Sequence, residues 1–218
     1  MKLRNIAISI LFLTPLFGSA QFFKGFGLMG GLTLSSQKWL ETAYDGSNTV
    51  LTKTKHKLLW GFNGELFAEF INHDNVRWRT EFEYDRKGTK HRETKDKNRL
   101  DYISWNNYLV LRGEVFSGHP YFLIGPRFEY AFIQKTPSVP FAFRPLHFSW
   151  SAGVGFEFIT FGAMKPLVEV HYNPDLNKAM METYSDGVSG WGIRNRAWEL
   201  RVGVIFRFND NSCPPVFK

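Results

Sequence analysis

The segment 76–84 alternates strictly between charged and uncharged residues. It reads Val-Arg-Trp-Arg-Thr-Glu-Phe-Glu-Tyr, so its four odd-numbered positions are all charged and its even-numbered positions are apolar, aromatic or Thr. Successive side chains of a strand point to opposite faces of a sheet. This period of two therefore predicts a β-strand with one charged face and one largely apolar face.

Comparable alternation along the rest of the chain predicts eight strands. They are expected at 26–35, 59–71, 76–84, 102–115, 121–134, 147–159, 167–172 and 198–208. Asn107 interrupts the apolar face of the fourth strand. Short turns are expected at 72–75, 117–120 and 161–166, and long polar loops at 37–57, 86–99, 136–145 and 173–195. Bacterial outer-membrane barrels alternate short periplasmic turns with long external loops, so the same phase predicts that both termini lie in the periplasm.

Composition decides which face of the predicted barrel points inward. Aromatic residues make up 17% of the chain and charged residues 22%. An apolar interior would fit a secreted barrel, but an eight-stranded barrel is only just wide enough inside for side chains. Four or five large apolar residues per strand would overfill it. The sequence therefore predicts an all-β, eight-stranded antiparallel up-and-down transmembrane β-barrel with its apolar face toward lipid.

The first twenty residues have the features of a secretory signal. Lys2 and Arg4 precede an apolar run at 6–17, and the small residues at 18–20 are those expected before a cleavage site. An uncleaved anchor helix is the less favoured alternative, because the run is shorter than the ~20 residues that span a bilayer. The expected organisation is a signal peptide at 1–20, an outer-membrane barrel at 21–208 and a short periplasmic tail at 209–218.

The charged face of the predicted strands would share a narrow interior. Unpaired charges there would be very costly, so we expect an interlocked set of ion pairs. The favoured interpretation is a rigid polar plug, and a proton or ion path or a ligand site are the alternatives. The predicted lumen charge network comprises Glu65, Glu69, Arg77, Arg79, Glu81, Glu83, Arg112, Arg127, Glu129, Glu157, Glu169, Glu199, Arg201 and Arg207.

Several segments together carry a family resemblance. They are the cleavage context at 18–21, the Gly-rich first strand at 25–35, the segment 121–130 with its Gly-Pro pair, and the closing strand at 195–208, which ends in Phe-Arg-Phe. In these the chain resembles the PorT-like outer-membrane barrels of the Bacteroidetes. The resemblance implies an eight-stranded outer-membrane barrel, and the best-known members of that family assist type IX protein secretion. Phe208 resembles the terminal aromatic signal read by the barrel-assembly machinery, although residues 209–218 follow it.

One short motif has an enzymatic interpretation. His147 and Ser149 are similar to the His-x-Ser of lipid A deacylase barrels, in which His activates Ser for attack on an acyl ester. That family continues with Asn, whereas this chain has Trp150. Both residues are predicted to point into the lumen, away from a lipid substrate. The favoured interpretation is a rim histidine beside a small lumen residue, and the sequence predicts no catalytic residues.

The loop predicted at 86–99 is strongly basic. Its cations are Arg86, Lys87, Lys90, Arg92, Lys95, Lys97 and Arg99. On the outside of the cell such a loop would lie beside the phosphates of lipopolysaccharide, where each basic residue is worth roughly 1 kcal/mol. A solvated loop without a ligand is an equally supported interpretation.

The sequence favours a non-enzymatic structural or accessory barrel. Expected partners are outer-membrane lipids, the barrel-assembly machinery during insertion, and envelope or secretion-complex proteins. Nucleic acid is not expected, and no Gly-rich phosphate loop, paired cysteine or His-Glu metal motif points to a cofactor or metal. A narrow pore is the main alternative, although open aqueous channels typically need about 16 strands. A lipid A-modifying hydrolase is the third hypothesis.

Overall fold

The computed structural model describes most of the predicted barrel. The described residues are 23–45, 48–55, 57–71, 73, 75–90, 96–116, 118–135, 137, 144–159, 162–176, 180–183 and 190–207. The predicted signal peptide, the predicted tail and Phe208 lie outside these ranges. Within them the strands are β1 (Phe23–Asp45), β2 (Asn48–Lys55), β3 (Leu59–Phe70), β4 (Val76–Lys90), β5 (Lys97–Arg112), β6 (Gly118–Lys135), β7 (Leu146–Phe158), β8 (Met164–Pro174), β9 (Met180–Thr183) and β10 (Gly190–Arg207).

Eight of these strands form a closed antiparallel barrel. β1, β3, β4, β5, β6, β7, β8 and β10 follow one another around the wall, and β1 pairs with β10 to close it. The closing ladder runs from Gly25 opposite Arg207 to Thr42 opposite Gly190. The predicted eight-stranded all-β barrel is therefore confirmed.

Three of the predicted loops contain strand instead. β2 pairs with the far end of β1, and β9 pairs with the first residues of β10. β4 continues to Lys90 and β5 begins at Lys97, so most of the predicted basic loop is also strand. In β4 and β5 the outward positions of these extensions are mostly charged, as at Arg86 and Lys97, so the sequence has no apolar face there. The backbone ladder continues without that signal.

The barrel has one end with short connections and one with long connections. Five residues or fewer join the strands at 71–75, 113–117 and 159–163, and we call this side the turn end. Phe23 and Arg207 both lie at the turn end, and the opposite side is called the loop end. β5 ends at Arg112, so 113–115 belongs to a turn and not to the predicted fourth strand.

The outer wall of the barrel is apolar. Trp60, Leu66 and Phe82 are each more than 60% exposed, and large apolar side chains cover most outward positions of every barrel strand. Asn107 lies among them on β5, as its position in the sequence predicts. The alternate positions point inward and are buried. Among the described residues, no helix is long and apolar enough to cross a membrane.

The interior also contains two small apolar clusters. Met29, Phe67, Leu167 and Ile205 form one of them. Tyr108, Val110, Tyr121 and Leu123 form the other. The remaining inward positions are mostly polar or charged, so these clusters are apolar packing within an otherwise hydrophilic core.

Candidate functional site: the charged lumen

Each of the fourteen residues predicted for the lumen charge network points into the barrel and forms an ion pair there. The alternation places them, because one face of every barrel strand is turned to the axis. Arg79, Arg127 and Arg201 are the three largest of the side chains that are almost completely buried. Arg112, near the turn end, is the most exposed of the set, and its side chain retains 8% of its accessible area.

Glu69 is the centre of the layer nearest the turn end. Its carboxylate accepts hydrogen bonds from Arg79 at 2.7 Å, from Arg207 at 2.7 Å and from Arg77 at 3.2 Å. These three cations come from β4 and β10, so the contacts cross from one part of the barrel wall to another. The ion pairs of this layer therefore hold β3, β4 and β10 together and also hold the charged side chains in place.

Glu157 is the second carboxylate of the same layer. Arg207 donates to it through Nε at 3.0 Å, and Arg112 donates at 2.8 Å. Lys165 Nζ lies 3.9 Å from the same carboxylate. Arg207 joins Glu157 to Glu69, so the two carboxylates belong to one continuous network.

Arg201 holds the middle of the barrel together. Its guanidinium lies 2.5 Å from Glu65, 3.2 Å from Glu81 and 2.9 Å from Glu83, and it also pairs with Glu199. The oxygens of Glu65, Glu81 and Glu83 lie within 4.8 Å of one another. Such a carboxylate set could hold a cation, but the guanidinium already supplies the positive charge at this point.

Arg127 and Lys87 form the layer nearer the loop end. Arg127 lies 3.0 Å from Glu83 and 3.1 Å from Glu129. Lys87 lies 3.3 Å from Asp85 and 2.5 Å from Glu129. Because Glu83 pairs with both Arg127 and Arg201, this layer continues directly into the middle of the barrel.

The position of Lys87 contradicts its predicted place in an external basic loop. It is 1% exposed inside the barrel, so it cannot take part in lipopolysaccharide contact on the outer surface. The physical reason is that β4 continues past Tyr84 with unchanged alternation, which turns Asp85 and Lys87 inward with Glu83. Residues 77, 79, 81 and 83 point inward, and extending this series of odd-numbered positions to 85 and 87 would have identified both residues as inward.

A further chain of hydrogen bonds crosses the middle of the lumen. Arg79 pairs with Glu169, whose other contacts are the Tyr121 hydroxyl at 2.5 Å and His171 Nε2 at 2.7 Å. His171 Nδ1 lies 3.1 Å from Ser151 Oγ. This gives a Ser-His-acid sequence of contacts, but Ser151 and His171 are 1% and 0% exposed. A substrate has no access to that hydroxyl, so the chain serves to pack the interior.

His147 and Ser149, the residues of the His-x-Ser motif, do not form a catalytic pair. Both are buried inward residues of β7, and neither ring nitrogen of His147 nor the Ser149 hydroxyl has a hydrogen-bond partner among the described residues. The His147 ring packs edge-on against Tyr102, with centroids 5.5 Å apart. A general base must be within hydrogen-bond reach of its nucleophile, and this geometry does not provide that contact.

The other cations of the predicted basic loop lie outside the lumen or beyond the described residues. Arg86 and Arg99 both bind Asp101 on the outer wall, with Nε–Oδ1 distances of 3.1 and 2.9 Å. Arg86 also stacks over Phe62, with its guanidinium carbon 4.4 Å from the ring centroid. Lys97 is exposed, and Lys90 is half-buried at the end of β4. Arg92 and Lys95 lie outside the described residues.

Comparison with known proteins bears on the fold. No protein-family model and no curated relative matches the chain. The crystal structure of the outer-membrane protein OprG from Pseudomonas aeruginosa is similar with a TM-score of 0.55 at 14% identity, over 87% of this chain and 99% of OprG. Neisserial surface protein A is similar with a TM-score of 0.50 at 12% identity, over 84% of this chain and 97% of that protein.

A third similar structure is an enzyme. The outer-membrane protease OmpT from Escherichia coli aligns with a TM-score of 0.40 at 13% identity, over 84% of this chain and 97% of OmpT, which is too distant to support an inference. At these identities the likeness concerns the fold alone. The chain therefore has the closed eight-stranded antiparallel barrel fold also found in the outer-membrane proteins OprG and neisserial surface protein A.

Proposed function

We propose that this protein is a non-enzymatic outer-membrane barrel with a sealed lumen, which acts as a structural or accessory component through its outer surfaces. The observation that carries the proposal is the network around Arg79, Arg127 and Arg201. These side chains and their carboxylates fill the axis of the barrel from the turn end toward the loop end. An interior occupied by locked ion pairs cannot serve as a water-filled channel, which leaves the wall and the two ends for interaction.

The outer wall supports the membrane location. An apolar band on the outside with charges inside is the pattern of transmembrane barrels, and a soluble protein would not expose this many large apolar side chains. By analogy with such barrels, we place the turn end in the periplasm and the loop end outside the cell. Fractionation of the native membrane, with protease added to intact cells, tests this arrangement. If the protease cleaved the turn end of the barrel in intact cells, that result would contradict this arrangement.

Planar-bilayer conductance tests the sealed lumen. The purified barrel is expected to insert without opening discrete current steps, since the ion pairs leave no continuous water path. Regular steps from the wild-type protein would contradict the proposal and support the narrow-pore alternative. Heat-modifiable migration on gels, measured on the same sample, establishes that a silent preparation contains folded barrel.

Lipid analysis tests the non-enzymatic part of the proposal. The Ser149→Ala substitution is expected to leave lipid A composition unchanged, because Ser149 has no contact with His147 and lies inside the barrel. Ser151→Ala serves as the matched variant, since Ser151 is the hydroxyl that does contact a histidine. Accumulation of uncleaved lipid A in either variant would favour the hydrolase.

The proposed partners are envelope proteins, and the resemblance to PorT-like barrels makes a secretion complex the first class to examine. Photo-crosslinking probes at the two ends would show where a partner binds. Phe116 at the turn end is 83% exposed and Leu146 at the loop end is 73% exposed, so both positions tolerate a probe. Reproducible adducts with secretion or assembly components at one end only would identify the functional end. Their absence at both ends would contradict an accessory role.

A further inference from the structure

The seam between the first and last strands carries three exposed cations on its outer face. Lys38 on β1 lies directly opposite Arg194 on β10, and Arg196 lies opposite Ser36. All three cations are exposed, and they sit toward the loop end of the barrel. We refer to Lys38, Arg194 and Arg196 as the seam cations.

Among the residues whose side chains the structure describes, the seam cations have no negative partner. No acidic side chain of that set forms an ion pair with any of them, whereas the wall cations Arg86 and Arg99 share Asp101. Like charges placed directly opposite each other on paired strands repel and destabilise the sheet. The Lys38–Arg194 pair is therefore unfavourable unless an anion lies beside it.

An aromatic pair marks where the seam cations lie relative to lipid. Trp198, two residues from Arg196 on the outward face of β10, is 54% exposed and packs on Tyr172 with ring centroids 4.8 Å apart. Leu32 and Leu200 continue the apolar band beyond them. Aromatic girdles of barrels mark the boundary between hydrocarbon and headgroups. The seam cations thus lie on the lipid-facing wall, at the level of headgroup phosphates.

We propose that the seam cations form a binding site for the phosphate groups of an anionic lipid headgroup, with lipopolysaccharide as the lipid of the outer leaflet. The two guanidinium groups can each bind a phosphate through paired hydrogen bonds, and Lys38 adds a compact third charge. A lipid is favoured over an acidic protein segment because the cations continue the lipid-facing wall. This inference rests on the proposed membrane location and adds a residue-level ligand site to it.

Native mass spectrometry of the full chain in zwitterionic detergent tests the site. The probes are bisphosphorylated lipid A, dephosphorylated lipid A and inorganic phosphate. The test variant is Lys38→Gln/Arg194→Gln/Arg196→Gln. The matched control is Lys57→Gln/Lys135→Gln/Arg144→Gln, which removes three exposed cations that lie off the β1–β10 ladder and the same total charge. Heat-modifiable migration establishes that both variants are folded.

The expected result is a selective loss in the test variant. Bisphosphorylated lipid A should bind the wild type and the control similarly, and each seam cation removed should weaken binding about fivefold. Dephosphorylated lipid A should not distinguish the three proteins. If inorganic phosphate displaces lipid A, free phosphate is sufficient to occupy the site. If inorganic phosphate does not displace lipid A, the site requires the phosphate of the lipid. Equal binding by the two variants would overturn the proposal, even if the barrel remained silent in conductance.

Discussion

Arg201 Nη1 lies 2.5 Å from Glu65 Oε2, although β10 and β3 do not pair with each other. The two strands flank β1, where Arg201 lies opposite Gly31 and Glu65 lies opposite Met29. A Cβ at Gly31 would lie 1.9 Å from the Leu200 carbonyl oxygen and 2.9 Å from Arg201 Cα. The close approach of β10 to β1 therefore requires glycine opposite Arg201, whose guanidinium reaches across β1 to its carboxylate.

The first prediction concerns Arg201. The Arg201→Met variant should lose about 3–5 kcal/mol of unfolding free energy, because several buried carboxylates would lose their cation. Arg194→Met removes an exposed arginine from the same strand and should change stability by about 0.5 kcal/mol or less in zwitterionic detergent. Denaturant unfolding followed by tryptophan fluorescence measures both. Equal losses would show that the lumen network does not stabilise the barrel.

The second prediction compares two neighbouring asparagines on β5. Asn107 faces lipid and makes no side-chain hydrogen bond to a described residue, so Asn107→Leu should raise the unfolding free energy by about 1 kcal/mol. Asn106 points inward and donates to Glu83 at 2.7 Å, so Asn106→Leu should lower it by about 1–3 kcal/mol. The same unfolding assay applies. A stabilising Asn106→Leu substitution would mean that the register of β5 is reversed.

The third prediction concerns two glycines with opposite surroundings. A Cβ at Gly125 would lie 1.8 Å from the Asn107 carbonyl oxygen, so Gly125→Ala should force β5 and β6 apart and destabilise the barrel by about 2 kcal/mol. A Cβ at Gly64 would meet no atom within 4 Å. Gly64→Ala should stabilise the barrel by about 0.4–1 kcal/mol through the unfolded state. Comparable destabilisation by both substitutions would contradict the close approach of β5 to β6.

The fourth prediction concerns chemical accessibility. An amine-reactive reagent should label Lys97 quickly in the folded barrel and leave Lys87 unlabelled, because Lys87 is 1% exposed and bound to Glu129. Peptide mass spectrometry before and after unfolding measures the difference. Similar labelling of both residues in the folded protein would place Lys87 outside the lumen.

Much of this fold follows from the alternation of residues. The lumen members from Glu65 to Arg207 share one parity on each strand, and that parity is enough to turn them inward. The partners within the network do not follow from parity. Arg79 binds Glu169, which is ninety positions away in the chain, and this contact depends on how the whole wall is staggered. The stagger of neighbouring strands is set by backbone pairing around the closed barrel. The sequence of a single strand does not contain this information.

The strand extensions show a second limit of sequence patterns. β2 and β9 lie in regions predicted as loops, since neither sequence alternates between apolar and polar residues. Lys87 was missed for a related reason, because the predicted third strand stopped where its apolar alternation stopped. Pairing with β5 continues as far as Lys90 opposite Lys97 and carries Lys87 into the barrel.

The pairing of β1 with β10 has a consequence for assembly. Gly25 and Arg207 lie at opposite ends of the described chain, so the wall cannot close until its last strand has been synthesised. Before that moment both terminal strands expose unpaired backbone edges, which invite pairing with other chains. The same last strand delivers Arg201 to Glu65, Glu81 and Glu83. Closure of the wall and delivery of this cation therefore occur in one event, and a sheet that lacks β10 has open edges and a central carboxylate cluster without Arg201.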